Sequence, residues 1–284
     1  MRIWIASSAM ALVIAQGVLA QDSPWTPQVS SSPGALYVVD AVSDEVAWAA
    51  GNDAIVVRTV NGGAEWEPCP TPYGAHWALG AVDDQTCVVS GWPAVLWRTT
   101  DGGQTWNVVH DAGDSFINAV HFFDSQRGWA MGDPVQPSGD RFVILETTDG
   151  GATWVESPSA PPATYPEHGL TGSFAWVGDQ LGAFGVWEHV IWRTTNGGAD
   201  WQSVPSAIQQ VAALALGDDG MGLAGGDLGM LERTTDSGAT WESIPSPTVV
   251  RLLQLVWIEN DEYWGSTHQQ GVFHSTNAGG DWEA

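Results

Sequence analysis

The chain reads as an all-β protein, a six-bladed β-propeller of four-stranded antiparallel blades whose ring is closed by an N-terminal strand. Three observations predict this. One nine-residue phrase is written six times, at spacings of 40, 48, 47, 40 and 41 residues, the period of a propeller blade. The text between copies breaks into short runs rich in Val, Leu, Trp and Thr, separated by turn residues. After the first twenty residues no stretch shows sustained helical periodicity with caps. A seven-bladed ring is the alternative.

The phrase reads "RTVNGGAEW", "RTTDGGQTW", "ETTDGGATW", "RTTNGGADW", "RTTDSGATW" and "HSTNAGGDW". Its alignment point is Asn61, Asp101, Asp149, Asn196, Asp236 and Asn277. In blade two it falls between "VLWRTT" and "WNVVH", which places each copy in the turn between the third and fourth strands. The Asp or Asn oxygen can accept hydrogen bonds from turn N–H groups. Two positions later every copy has glycine, the residue that takes a positive φ without strain. Five positions after the Asp or Asn stands Trp66, Trp106, Trp154, Trp201, Trp241 or Trp282, a large ring placed to pack between blades. Three copies carry Asp and three carry Asn. A metal ligand or general acid would not be exchanged in this way, so the boxes are read as turn-makers. Arg58, Arg98, Arg193 and Arg233, three positions before the box, are read as stacking or locally charge-paired.

"TTDGGQTW" and its copies resemble the Asp-box, or bacterial neuraminidase, repeat. The segment from Ser125 to Trp154, "SQRGWAMGDP…GDRFVILETTDGGATW", is similar to the bacterial propellers related to the photosystem II stability and assembly factor. The resemblance runs blade after blade and implies the fold. It does not imply an activity, because Asp boxes also occur in sialidases, xyloglucanases and sortilin-type receptors. The family's arginine-bearing protein-binding patch is not evident here.

Residues 1–20 read as a secretory signal, with Arg2, an apolar run and "VLA" before Gln21. Residues 21–284 are read as a single propeller domain, exported to the periplasm or beyond and monomeric. The last box ends at Trp282, so blade six is short of a fourth strand. Residues 24–30, with Trp25 and Val29, are expected to supply it and so remove an open sheet edge. Cys69 and Cys87 are the two cysteines; outside the cytoplasm they can pair, and free buried thiols are the other reading.

All eight basic residues are Arg, against 33 Asp and Glu, for a net charge of −25. Such a field works against nucleic acid and anionic membrane surfaces as partners. The expected partner is a protein, or a small-molecule or glycan ligand.

The boxes occupy one face, so unusual loops on the other face mark the candidate site. The longest link between blades, 157–173, carries Glu167 and His168. The longest loop between second and third strands, "GDPVQPSGDR", carries Asp133, Asp140 and Arg141. "GVWEHV" adds Trp187, Glu188 and His189. Tyr73 and His76, Trp92, and His268 with Gln269 complete the candidates. A role in catalysis finds little support. The convergent arginines of a sialidase are missing, and there is no nucleophile elbow, phosphate loop or dinucleotide fingerprint. The histidine spacings show no metal-binding pair, a single divalent ion on the acidic loops stays open, and no cofactor is expected. The leading reading is a secreted, non-catalytic binding propeller. The alternatives are a carbohydrate-active enzyme such as a glycoside hydrolase or sialidase, using a carboxylate pair, and an envelope assembly or structural factor.

Overall fold

The computed structural model describes residues 28–30, 32–72, 74–135, 139–163, 167–267 and 271–283. The signal-like segment, Trp25, Tyr73, Tyr165, His268 and Gln269 lie outside them. The described residues form six antiparallel sheets in chain order: 36–68, 75–111, 117–156, 169–205, 211–244 and 252–275. Six blades, not seven, are present. The first five have four strands each, and blade six has three. A single bridge between His274 and Glu283 begins an outer edge on blade six.

The blades stack through apolar faces. Along each second strand, side chains alternate between the two neighbouring blades, as the period of two requires. Trp48 packs toward Leu79 and Val89 of blade two, whereas Val88 packs toward Val120 and Leu145 of blade three. Trp106, Trp154, Trp201, Trp241 and Trp282 each enter the interface with the preceding blade. The expected role of the box tryptophan is therefore met at five interfaces. Trp66, at the sixth, is only half-buried, and among the described residues no buried apolar cluster joins blade six to blade one.

That seam carries a polar contact instead. The Gln28 amide donates to the Gly62 carbonyl at 3.0 Å and accepts from the Trp66 indole N–H at 3.2 Å. At two other seams an arginine of the preceding blade serves the same carbonyl: Arg98 Nε reaches Gly150 O at 2.8 Å, and Arg193 Nε reaches Ser237 O at 2.6 Å. In blade six the equivalent residue is His274, which stacks on Trp264 and bonds Glu262. Gln28 thus stands in for the missing arginine. Of the closing strand expected at 24–30, residues 24–27 lie outside the described residues, and 28–30 form no strand.

Each box is a closed hydrogen-bond circuit. In blade two, Thr99 Oγ1 donates to Asp101 Oδ1 at 2.8 Å and accepts from Gly103 N at 2.9 Å. Asp101 Oδ1 also accepts from Thr105 N. Gly103 has φ +84 and lies against Cys69 and Trp48 of blade one, leaving no room for a Cβ. The remaining oxygen or nitrogen separates the two versions of the box. Asp101, Asp149 and Asp236 accept from a threonine hydroxyl four residues on. Asn196 and Asn277 instead donate to Asp200 and Asp281 at 3.0 Å. In these five boxes the Asp–Asn exchange is thus compensated locally.

Two of the four box arginines stack or charge-pair as read from sequence, while Arg98 and Arg193 instead hold the carbonyls of the next blade. Arg58 lies 5.5 Å from the Trp48 ring centroid and pairs with Glu67, and Arg233 pairs with Glu242. Cys69 and Cys87 are free thiols buried in the interface of blades one and two, and burial pushes the Cys69 thiol up to about 11.

Candidate functional site

Backbone hydrogen bonds assign the two faces. Every box turn bonds the turn between first and second strands, as in Gly62–Glu45, Gly102–Gln85 and Gly150–Gln126. The turns between second and third strands bond the links between blades, as in Thr71–Ala54, Asp133–Phe116, Trp187–His168 and Ser206–His189. The loop face is therefore opposite the boxes.

The long loops of blades three and four meet there. Asp133 N donates to Phe116 O, and its carbonyl accepts from Ser115 Oγ. Held this way, the Asp133 carboxylate accepts from Asn118 Nδ2 at 2.7 Å and from Gly169 N at 2.8 Å. Its other oxygen lies 3.4 Å from His168 Nδ1. Burial pushes the Asp133 carboxyl up, and the bonds from Gly169, Asn118 and His168 oppose that shift. The His168 ring meets the Trp187 ring edge-on at 5.6 Å. Sequence reasoning named Asp133, His168 and Trp187 separately; the fold brings them into one row.

The other candidates divide. Arg141 donates to Ala160 O at 2.6 Å and bridges Pro162, while Asp140 O accepts from Ala163 N. These residues tie the blade-three loop to the link that follows blade three. Glu188 and His189 are exposed at φ 73 and 65; Asp53 and Ala54 of blade one do the same, so the strain belongs to the tight hairpin. Trp92 is 56% exposed. His76 is a correction: it is 2% exposed, bonds Thr71 Oγ1 at 2.6 Å, and burial lowers it to about 4. It is a neutral packing residue, because its strand position turns it inward.

Sequence reasoning missed the channel mouth. The innermost strands of five blades carry a bulge near their start: at Tyr37, Trp77, Asn118, Ala212 and Leu253. In blade four the bulge is wider, between Gly169 and Phe174. There Gly172 takes φ +95, and a Cβ on it would stand 2.8 Å from Leu253 O. Thr171 and Gly172 so reach across the ring axis and narrow the channel. Tyr37 and Trp77 stack at 4.0 Å and 8°, and Phe116 continues the row at 6.3 Å from Trp77. The repeated bulge marks these positions, but its offset shows only once the strands are paired.

No deep pocket accompanies this surface among the described residues. The two best-formed clefts hold about 30 Å³ and about 10 Å³ of water-accessible space, whereas small-molecule sites need several hundred. No group of three metal-ligating side chains converges among the described residues.

No family profile and no curated protein sequence matches the chain. Solved structures do share its fold. YCF48 bound to D1 peptide superposes with TM-score 0.66 at 16% identity, over 87% of this chain and 80% of that one. YCF48 from Cyanidioschyzon merolae gives TM-score 0.62 at 18% identity, over 86% and 83%. The GH74 xyloglucanase from Xanthomonas campestris gives 0.63 at 17% identity, over 83% of this chain but 44% of that one. The chain thus shares a propeller fold with YCF48 and with part of a GH74 enzyme, and its chemistry has to be read from its own loop face.

Proposed function

We propose that this chain is a non-catalytic, monomeric propeller that holds a segment of a partner protein across its loop face, over the channel mouth. The observation that carries this reading is the row Tyr37–Trp77–Phe116 running toward Asp133, His168 and Trp187, with no deep cleft among the described residues of that face. A shallow surface with aromatic anchors suits a polypeptide better than a small substrate. The likeness to YCF48, solved with a D1 peptide, supports it by showing that this architecture accommodates a peptide. Trp92, Asp133, His168, Trp187, Glu188 and His189 are proposed as contact residues. Arg141, Asp140 and Glu167 are proposed as holders of the loops that present them. Export is proposed from the leader-like residues 1–20 alone.

A carbohydrate-active enzyme is the competing reading, favoured by the shared fold with the xyloglucanase. It requires two carboxyls free to act on either side of a glycosidic bond. Asp133 is already engaged by Asn118, Gly169 and His168.

The test is selection from a random-sequence displayed peptide library, followed by affinity measurement on Trp187→Ala and Asp133→Asn. Expected are enriched peptides whose binding weakens at least tenfold in either variant. A library that yields no binder, or binders indifferent to both changes, overturns the reading. Release of reducing ends from xyloglucan by the purified protein would replace it with the enzymatic one.

A further inference from the structure

We propose that the segment held on this face is cationic, with an apolar or planar side chain laid against the Tyr37–Trp77–Phe116 ledge beside its Arg or Lys. The inference rests on the binding reading above and adds the chemistry of the partner.

The argument starts from where the chain spends its cations. Arg58, Arg98, Arg193 and Arg233 lie on third strands beside the boxes, and Arg127 pairs with Asp124 and Asp179 on the box face. Only Arg141 and Arg251 reach the loop face among the described residues. Arg251 meets Asp227 and Gln210, and Arg141 gives one N–H of its guanidinium to Ala160 O. Against them stand the exposed Asp53, Asp111, Asp114, Asp140 and Glu188, none with an ion-pair partner among the described residues.

These acids stand on the loop-face connections of blades one to four, the face and the blades that carry the aromatic ledge. Asp53 belongs to the hairpin between the second and third strands of blade one. Asp111 and Asp114 belong to the link leading to Phe116. Asp140 and Glu188 belong to the hairpin loops of blades three and four. The ledge is half-buried and supplies apolar contact and ring faces, on which a guanidinium stacks readily. The acids of this face supply a negative potential that steers and orients a positive segment. An acidic segment would meet net repulsion, since five exposed acids face it and, among the described residues of this face, Arg141 alone is a cation without a carboxylate partner. Charge complementarity therefore selects a basic segment with apolar or aromatic neighbours, and the ledge gives it a place to lie.

The same displayed library decides the matter, because the composition of its binders is read separately from their existence. Selected peptides should be enriched in Arg and Lys next to Phe, Tyr, Trp or Leu. Their affinity should fall at least tenfold between about 50 mM and about 0.5 M salt. Tyr37→Ala should weaken them at least fivefold, with Tyr37→Phe restoring the binding. A joint change of Asp53, Asp114 and Glu188 to Asn and Gln should remove most of the salt dependence without lowering the melting temperature. Binders that are acidic or neutral, or whose affinity ignores salt, overturn the cationic partner while leaving the binding face intact. Absence of any binder overturns both readings.

Discussion

At the box end of the blades, six turns repeat one circuit of Thr or Ser, Asp or Asn, glycine and tryptophan almost unchanged. At the loop end of the same strands the connections differ in length and composition, although the hairpins of blades one and four share one backbone turn. The box end has arginines that reach the neighbouring blade, while the loop end leaves five exposed acids without ion partners among the described residues. The contrast shows how a repeat divides its labour. Positions that must close the same turn and fill the same interface are kept alike by geometry. Positions free of that duty are where a binding chemistry can be written.

Substitutions at the box end should cost stability and spare binding; those at the loop end should do the reverse. The largest effect is expected for Trp154→Ala, which empties the interface of blades two and three. A loss of about 3–5 kcal/mol in chemical denaturation is expected, with peptide affinity retained below the transition. Next comes Thr99→Val, which leaves the buried Gly103 N–H without its acceptor. It should cost about 1–3 kcal/mol by the same measurement.

A smaller effect tests the compensation inside the boxes. Asn196→Asp sets a carboxylate against Asp200, where an amide now donates at 3.0 Å. It should lose about 0.5–1 kcal/mol. Asp101→Asn should lose less, because the Thr105 hydroxyl can turn from donor to acceptor. Equal losses in the two variants would show that the partner four residues on does not matter.

The pH dependence follows from the same bonds. Threonine side-chain and backbone donors hold Asp101, Asp149 and Asp236 at about 2, below the ordinary carboxyl value of 3.8. A lowered folded-state value means that their contribution is complete above about 4 and is lost as pH falls toward 2. Carboxyl-carbon NMR titration should place the midpoints of these three box aspartates near 2, and Thr153→Ala should move that of Asp149 upward alone. The smallest stability effect belongs to the loop end: Trp92→Ala should change stability by less than about 0.5 kcal/mol while weakening selected peptides. A Trp92 variant that melts early with unchanged affinity would assign that ring to the box end's rules.

The boxes, their period and the six blades were legible in the sequence because each is a local matter. A turn needs its acceptor, its glycine and its ring within nine residues, and the pattern survives in one dimension. The two-faced arrangement followed, since alternating hairpins must put alternate turns on opposite ends. His76 was misread because loop proximity says nothing about inward or outward direction. Tyr37 and Phe116 went unnoticed because a bulge is a property of two paired strands. The row of Asp133, His168 and Trp187 joins residues up to 54 positions apart, and nothing along the chain encodes that proximity. The blade, its turns and the sign of its charge follow from residues close together along the chain and from composition. Only tertiary structure decided which aromatic rings meet at the channel mouth, which arginines are spent inside the fold and which acids face solvent, because those depend on how six blades pack around one axis.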